Sequence, residues 1–325
     1  MSETESIEQP VPFFSVVIAV YNKRPYLDQV IRGLLSQGFS DFEAIFVDDG
    51  SRDGSSELIL ACQDIRFRYV LQENQGVSVA RNHGIRLARG KVVAFLDADD
   101  WYEPGYLQEI SSLIRMHPEA AFYGTGFYTH KNGTRGRSVI PKGIGKNSSS
   151  LVKDFYGAWS QGAFICASSI AVRKETLLAA GLEFRAGESH GEDQDMWFRL
   201  AELGPVAFSP QCYANYLQAT ANSLAYSSRY TEEIPAVTRL AERIKSGALG
   251  MANIKSARIV IERNRIEAAI NCGRYGQKVK ALKFLSGVIM SPNFLKLKCL
   301  AIVAMLIPSR LIAVVTVAKR KITST

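Results

Sequence analysis

Four short polar clusters hold most of the chemistry this chain could perform. Tyr21-Asn22, Asp48-Asp49-Gly50-Ser51, Glu73-Asn74-Gln75-Gly76 and Asp97-Ala98-Asp99-Asp100 each follow an apolar run. Any one of them is explained as a turn, since Asp, Asn and Gly are turn formers. Four in successive places of one pattern call for another reason. Two carboxylate clusters facing one crevice repel each other unless a cation intervenes. Oxygen donors of this kind suit Mg2+ or Mn2+, held by one or two carboxylates together with substrate phosphates. The pattern therefore points to a metal ion and a phosphorylated ligand.

Other devices for the same ligands fail in detail. A calcium loop counted from Asp97 has Tyr102 where Gly is needed and ends on Gln108; counted from Asp49 it keeps Gly54 but ends on Leu60. Gly143-Ile144-Gly145-Lys146-Asn147 imitates part of a P-loop. It lacks the earlier Gly and the Ser or Thr after Lys, and no G-x-G-x-x-G opens a helix. An ATP or dinucleotide enzyme is thereby disfavoured.

The elements that must position these clusters follow from hydrophobic periodicity. Apolar runs at 15–19, 44–47, 67–71 and 91–96 read as strands buried on both faces. Helical spacing covers 26–37, 55–62 and 78–88, and Pro104 fits the first turn of a helix reaching about Met116. Strands alternating with helices imply an α/β fold with a doubly wound, mostly parallel sheet. All four clusters then lie at carboxyl ends of strands, where such sheets bind ligands. Further on, 120–129 and 163–172 read as strands, 194–203 as a helix, and 142–150 as a mobile loop. From Thr231 the pattern is helical to the end. The expected organisation is a disordered tail over 1–12, a catalytic domain over 13–230 and a basic helical region over 231–325.

Charge separates the same regions. Residues 251–325 carry a net charge of +12 and residues 1–250 one of −4. A basic segment of this kind seeks anionic lipid or nucleic acid. Here the basic residues flank apolar runs, so a membrane surface is expected and nucleic acid is not. The five cysteines are scattered without a C-x-x-C pair, the pattern of reduced thiols in a cytoplasmic protein. The first twelve residues show no basic, apolar signal sequence.

In order and spacing, the segments Ser15-Val16-Val17-Ile18-Ala19-Val20-Tyr21-Asn22, Leu35-Ser36-Gln37, Val47-Asp48-Asp49-Gly50-Ser51, Asn74-Gln75-Gly76 with Ala80-Arg81-Asn82, and Leu96-Asp97-Ala98-Asp99-Asp100 resemble the successive signatures of family 2 glycosyltransferases. Gly191-Glu192-Asp193-Gln194-Asp195 resembles that family's downstream acidic motif. The resemblance covers about residues 13–225 and implies a GT-A fold, with inverting, metal-dependent transfer from a nucleotide-diphosphate sugar, UDP-linked by preference. The acceptor would be a saccharide or a lipid-linked saccharide in cell-surface polysaccharide or glycolipid assembly. The Q-x-x-R-W signature of processive synthases is absent, which favours transfer of one sugar.

The resemblance also implies roles. Tyr21 would stack on the base, Ala19 would touch it through its backbone, and Asp49 would hydrogen-bond it. Asp97 would contact the ribose, and Asn22, Gln75, Gly76 and Ala98 would complete the donor site. Asp99 would ligate Mg2+ or Mn2+ between the phosphates. Arg81 would support the phosphates or else form an ion pair inside the fold. Asp193 would be the general base, taking the proton of the acceptor hydroxyl; Glu192 and Asp193 would also cap the following helix. Glu192, Trp101 and Trp197 are candidates for a sugar or acceptor pocket, with core packing the alternative for both tryptophans. His190 is a neighbour that would tune the acidic loop or lie on the surface. Relatives often carry a basic residue and a His after the acidic helix. This chain has Tyr216-Leu217-Gln218-Ala219-Thr220 there, and a ligand from that segment is not carried over. Two other classes share part of the pattern: a sugar nucleotidyltransferase, which would need a Gly-rich, Arg-containing loop in place of Tyr21-Asn22-Lys23-Arg24-Pro25, and a non-catalytic sugar-nucleotide-binding or membrane scaffold protein.

Residues 299–318 are apolar except for Ser309, Arg310 and Thr316. The length suffices to span a bilayer, but a central Arg costs about 3 kcal/mol there. Two short helices lying on an anionic membrane through residues 290–325 are expected. Lys296, Lys298, Arg310, Lys319, Arg320 and Lys321 would face the headgroups on the cytoplasmic side.

Overall fold

The structure is a computed structural model that describes residues 11–188, 190–218, 231–288 and 293–306. The chain divides into two compact units, 1–220 and 221–325. The expected boundary near 230 adjoins residues 219–230, outside the described ones, and the expected tail is described only from Val11.

In the first unit β1 (Phe14–Val20), α1 (Arg24–Leu35), β2 (Phe42–Asp48), α2 (Ser55–Ala61), β3 (Phe67–Leu71), α3 (Val77–Leu87) and β4 (Val92–Asp97) alternate as the periodicity requires. Then come β5 (Trp101–Tyr102), α4 (Tyr106–Met116), β6 (Phe122–Lys131), β7 (Thr134–Arg137), β8 (Ser150–Val152), α5 (Phe155–Trp159), β9 (Ile170–Arg173), α6 (Lys174–Ala179), α7 (Glu192–Leu203) and β10 (Val206–Leu217). The sheet runs β3-β2-β1-β4-β9-β6-β10-β5, with β7 on β6 and β8 on β10. β1, β2, β3 and β4 are mutually parallel, as are β6 and β10, while β9 is antiparallel to both its neighbours. Ala19 pairs with Val47 on one side and Asp97 on the other. Chain order reverses across β1, which makes the carboxyl ends of β1 and β4 the switch-point crevice.

Burial explains the pattern. Val16, Ile18, Phe46, Ala94 and Leu96 are fully or almost fully buried, as central parallel strands covered on both faces require. Gly84 lets α3 approach β1 closely, since a Cβ there would lie 2.3 Å from Val17 Cγ1.

Two expectations need correction, and one strand shows no period to be read. Residues 163–172 form a strand only from Ile170, after a 3₁₀ turn over Ala167–Ser169, because buried Phe164, Ile165 and Ala167 pack individually and do not pair in a ladder. The strand over 206–217 escapes the periodicity because the register shifts between Ser209 and Cys212, around Pro210. Lys298, expected to face headgroups, is 2% exposed, with Nζ 2.8 Å from Glu262 Oε1.

The second unit contains α8 (Pro235–Lys245), α9 (Met251–Arg274), α10 (Lys278–Ser286) and α11 (Leu295–Leu306). Ile266, Ala269, Ile270, Ala281, Leu285, Ala301 and Met305 form its core. Among the described residues no helix is long and apolar enough to cross a membrane. Arg310, Lys319, Arg320 and Lys321 lie outside the described residues.

Candidate active site

The end of β1 presents Tyr21, 49% exposed, beside half-buried Ala19. Asn22 turns the chain with φ +52°, a left-handed conformation that Asn tolerates. Its backbone N–H donates to Ser51 Oγ at 3.0 Å and its Oδ1 accepts from Arg52 N–H at 2.8 Å. The β1–α1 and β2–α2 loops are thereby locked together.

At the end of β2 both aspartates are buried and bonded within the fold. Asp48 accepts from Ser51 N–H and from the Tyr69 hydroxyl, each at 2.8 Å. Burial first, then Asp48, pushes that phenol up to about 12. Asp49 Oδ1 accepts from Gln72 Nε2 and Gln75 N–H, and Oδ2 from Gly76 N–H. A carboxylate has about four acceptor positions, and these bonds use three of them. Gly76 carries φ +90°, which suits glycine, and it opens α3. Gln75 and Gly76 are both exposed at the crevice rim.

The end of β4 is held by cations. Lys23 Nζ lies 2.5 Å from Asp99 Oδ2. Arg81, 4% exposed, donates from Nη2 to Asp97 Oδ1 at 2.6 Å and from Nη1 to Glu192 Oε1 at 3.0 Å, and it sits over the Phe184 ring. Burial opposes its charge, but Asp97 and Glu192 overcome this and hold the guanidinium above its ordinary value. The ion-pair alternative for Arg81 is therefore what the geometry displays. Ala98 is buried. Asp100 accepts from Ser168 Oγ at 2.5 Å and Leu217 N–H at 2.9 Å, and Ser168 Oγ accepts from Asp97 N–H. Burial, then Asp99 and Asp97, pushes Asp100 well above the usual carboxylate range.

Lys23, Ser168 and Asp100 do site work that sequence reasoning passed over. Asp100 closes a cited cluster without a role of its own, and Lys23 follows Asn22 directly; Ser168 sits in the irregular turn and carries no signal of its own.

The acidic motif opens α7. Asp193 is half-buried and its Oδ1 accepts from Gln194 N–H. Burial first, then the neighbouring Glu192, pushes its carboxyl up to about 7, against the pull of Arg81. Asp195 is 1% exposed and paired with Arg199 at 2.8 Å, which leaves it a structural part. Burial drives His190 down to about 4, so it is neutral near pH 7. Trp197 corrects the pocket expectation. It is fully buried, with its ring 5.9 Å from Phe95 and 6.0 Å from Phe184, and offers no face to a sugar. Trp101 is half-buried, with its ring 4.8 Å from that of His130.

A divalent cation fits this chemistry. The carboxylates at β4 are hard oxygen donors, and Lys23 and Arg81 already mark the place as one that gathers positive charge. Among the described residues no three His, Cys, Asp or Glu converge on one point. A metal here would rest on Asp99 and on phosphate oxygens of a ligand, the usual arrangement for Mg2+.

A mostly parallel sheet with an acidic crevice at its switch point and helices beyond it defines a GT-A type protein. Residues 15–179 match the family described as Glycosyl transferase family 2, and the chain belongs to that family. EpsH of Bacillus subtilis, named as a glycosyltransferase, is 42% identical over 124 residues, 35% of this chain and 36% of EpsH. The GalNAc(5)-diNAcBac-PP-undecaprenol beta-1,3-glucosyltransferase of Campylobacter jejuni is 31% identical over 195 residues, 58% of this chain and 60% of that enzyme. The matches thus span less than two thirds of either relative. Among solved structures, residues 1-349 of S. aureus TarS in complex with UDP-GlcNAc superpose with a TM-score of 0.68 at 18% identity, covering 85% of this chain and 81% of that one. The mannosyltransferase PcManGT of Pyrobaculum calidifontis, in complex with GDP-Man and Mn2+, gives 0.59 at 17% identity, covering 92% and 87%. At these identities the likeness establishes the fold.

Proposed function

We propose that the chain transfers one sugar, with inversion, from a nucleotide-diphosphate donor to an acceptor hydroxyl. The observation that carries this is Arg81, which joins Asp97 at the end of β4 to Glu192 at the start of α7. The strand end suited to a donor and the helix bearing Asp193 thereby meet over one buried guanidinium. In this reading Tyr21 stacks on the base, Ala19, Asn22, Asp49, Gln75 and Gly76 surround it, and Asp97 and Ala98 face the ribose. Asp99 holds Mg2+ or Mn2+, which when bound neutralises charge growing on the leaving diphosphate. Asp193 takes the acceptor proton, and a base near 7 balances ionisation against proton affinity at neutral pH. A UDP-sugar is favoured; TarS has been solved with UDP-GlcNAc and PcManGT with GDP-Man.

The acceptor belongs to polysaccharide or glycolipid assembly, a reading supported by the undecaprenol-linked substrate in the Campylobacter relative's name. The chain works peripherally at the cytoplasmic face of a membrane, through residues 290–325. Exposed Leu295, Leu300, Ile302, Val303 and Leu306 on α11 support this, as does the +12 charge of residues 251–325.

Donor hydrolysis across a panel of nucleotide sugars, with Mg2+, Mn2+ or chelator, tests the central claim. Cleavage of one donor class only with metal is expected; no turnover of any donor would overturn it.

A further inference from the structure

Beside the crevice lies a face whose side chains the donor reading leaves unused. Trp101 follows Asp100 directly and pairs with Asn215 on β10. Asp100 binds the backbone of Leu217, and Gln218 N–H donates to the carbonyl of His130. The acidic loop and the tips of β6 and β10 are thus one assembly. From it the β6–β7 hairpin continues outward, with Tyr128 opposite Arg137 and His130 opposite Arg135. Residues two apart on a strand share a face, so Tyr128, His130, Arg135 and Arg137 line one surface. The Trp101 ring joins it against His130.

This surface is built, not loose. His130 Nε2 and Asn215 Oδ1 share a hydrogen bond of 2.8 Å. Asn215 Nδ2 and Arg135 Nη2 both donate to Glu103 Oε1, at 3.1 and 2.7 Å. Arg135 lies 3.5 Å from the centroid of the Tyr128 ring, and Arg137 lies 5.8 Å from it on its own approach. Glu103 neutralises Arg135. Among the described residues no carboxylate is paired with Arg137, which reaches only the Pro210 carbonyl at 3.4 Å and the Cys212 thiol. The face therefore carries a net positive charge next to a crevice lined by Asp97, Asp99, Glu192 and Asp193. Hairpin folding does not require this combination of stacked rings and guanidinium groups. Rings present flat faces to sugar C–H groups, and guanidinium binds carboxylate or phosphate through paired N–H donors.

We propose that Trp101, Tyr128, His130, Arg135 and Arg137 form the acceptor subsite, and that its ligand is a saccharide bearing an anionic group, carboxylate or phosphate. This rests on the donor and base assignments above and names the acceptor class for that same site. Lys23 and Arg81 already pair with Asp99, Asp97 and Glu192, so an anionic acceptor finds its charge partner in the cations beside Trp101, which hold the sugar with its hydroxyl toward Asp193.

Saturation-transfer NMR on the full chain, saturated with UDP and Mn2+, tests it with methyl glucuronide, glucose 1-phosphate and neutral methyl glucoside. At least one anionic probe is expected to bind while methyl glucoside does not. Arg137→Gln with Arg135→Gln should weaken that probe about tenfold, as loss of charge-assisted hydrogen bonds implies, and added salt should weaken it further. Response to glucuronide alone identifies a uronate acceptor, and response to the phosphate alone a phosphate-linked one. Arg137→Gln alone, checked by circular dichroism, gives the same reading where the double variant does not fold. Three results would overturn the proposal: methyl glucoside bound as well as both anions, anionic probes bound unchanged by either variant, or anionic probes bound only when UDP is left out and so lodged in the donor crevice. UDP affinity, titrated separately, reports on the donor assignment, so its failure is distinguishable from failure of the acceptor subsite.

Discussion

At the end of β2, Asp48 and Asp49 accept chiefly from backbone N–H groups of Ser51, Gln75 and Gly76 and from Tyr69 and Gln72. At the end of β4, Asp97 and Asp99 face Arg81 and Lys23. The residue type and the position on the strand are the same, yet the partners differ in kind. Backbone donors belong to the fold and cannot leave, so the β2 pair shapes loops. Side-chain cations can exchange partners when a diphosphate and a metal arrive, so the β4 pair can respond to a ligand. Asp193 belongs with the second group, since Arg81 ties its neighbour Glu192 to Asp97. Strand-end carboxylates are therefore sorted by what holds them.

The sharpest test of that sorting is Asp193→Asn. Loss of a general base costs about 10²–10⁴-fold in rate, so transfer should collapse while UDP affinity by calorimetry stays near that of the parent. A variant transferring at the parent rate would remove Asp193 from the responsive group.

Asp99→Asn should come next. A metal supplies several kcal/mol of charge stabilisation, about 10²-fold in donor affinity. Titration of UDP with and without Mn2+ should show the metal-dependent part lost and the thermal midpoint unchanged. An unchanged metal dependence would place the ion elsewhere.

The elevated carboxyl of Asp193 gives a smaller, graded effect. kcat/KM should rise with pH and level off near 7, falling about tenfold per unit below that. The same shift acts on stability. Between the unfolded value of about 3.9 and about 7, the folded state keeps a proton that the unfolded chain has lost. Asp193 therefore lowers stability as pH rises through that window. Denaturant midpoints of the parent and Asp193→Asn should diverge upward from pH 4 to 7, with the variant the more stable at the upper end.

Asp49→Asn should do the reverse of Asp99→Asn. An amide cannot accept on both sides, so a part-buried N–H from Gln75 or Gly76 loses its partner at about 1 kcal/mol. The midpoint should drop by several degrees, and the metal dependence of UDP binding should persist. A stable Asp49→Asn that loses metal dependence would erase the distinction between the two strand ends.

Much of this site is legible in residue order. Apolar runs before Tyr21, Asp48 and Asp97 mark strands buried on both faces, and helical spacing between them forces parallel pairing, which lines up their carboxyl ends. The two-residue β5 and the short β7 and β8 have too few residues to show a period. β10 hides behind the irregularity at Pro210. Trp101 and Trp197 look alike as isolated tryptophans beside acidic motifs, and only packing distinguishes them.

The sequence by itself determined the parallel core, the acidic strand ends and the place of Asp193 at the head of a helix, because period and turn chemistry are local properties. The tertiary structure alone decided which carboxylates meet backbone donors and which meet Lys23 and Arg81. It placed Ser168 under Asp97 and Asp100, and it turned Arg81 inward between Asp97 and Glu192. It also set Trp101 against His130 and buried Lys298 on Glu262. The pairings of Lys23 with Asp99, Arg81 with Glu192, Ser168 with Asp97 and Asp100, and Lys298 with Glu262 join residues from 36 to 111 positions apart. Nothing in local pattern encodes which buried charge will find which partner, because that choice is settled when the sheet closes and each desolvated group must be satisfied at once.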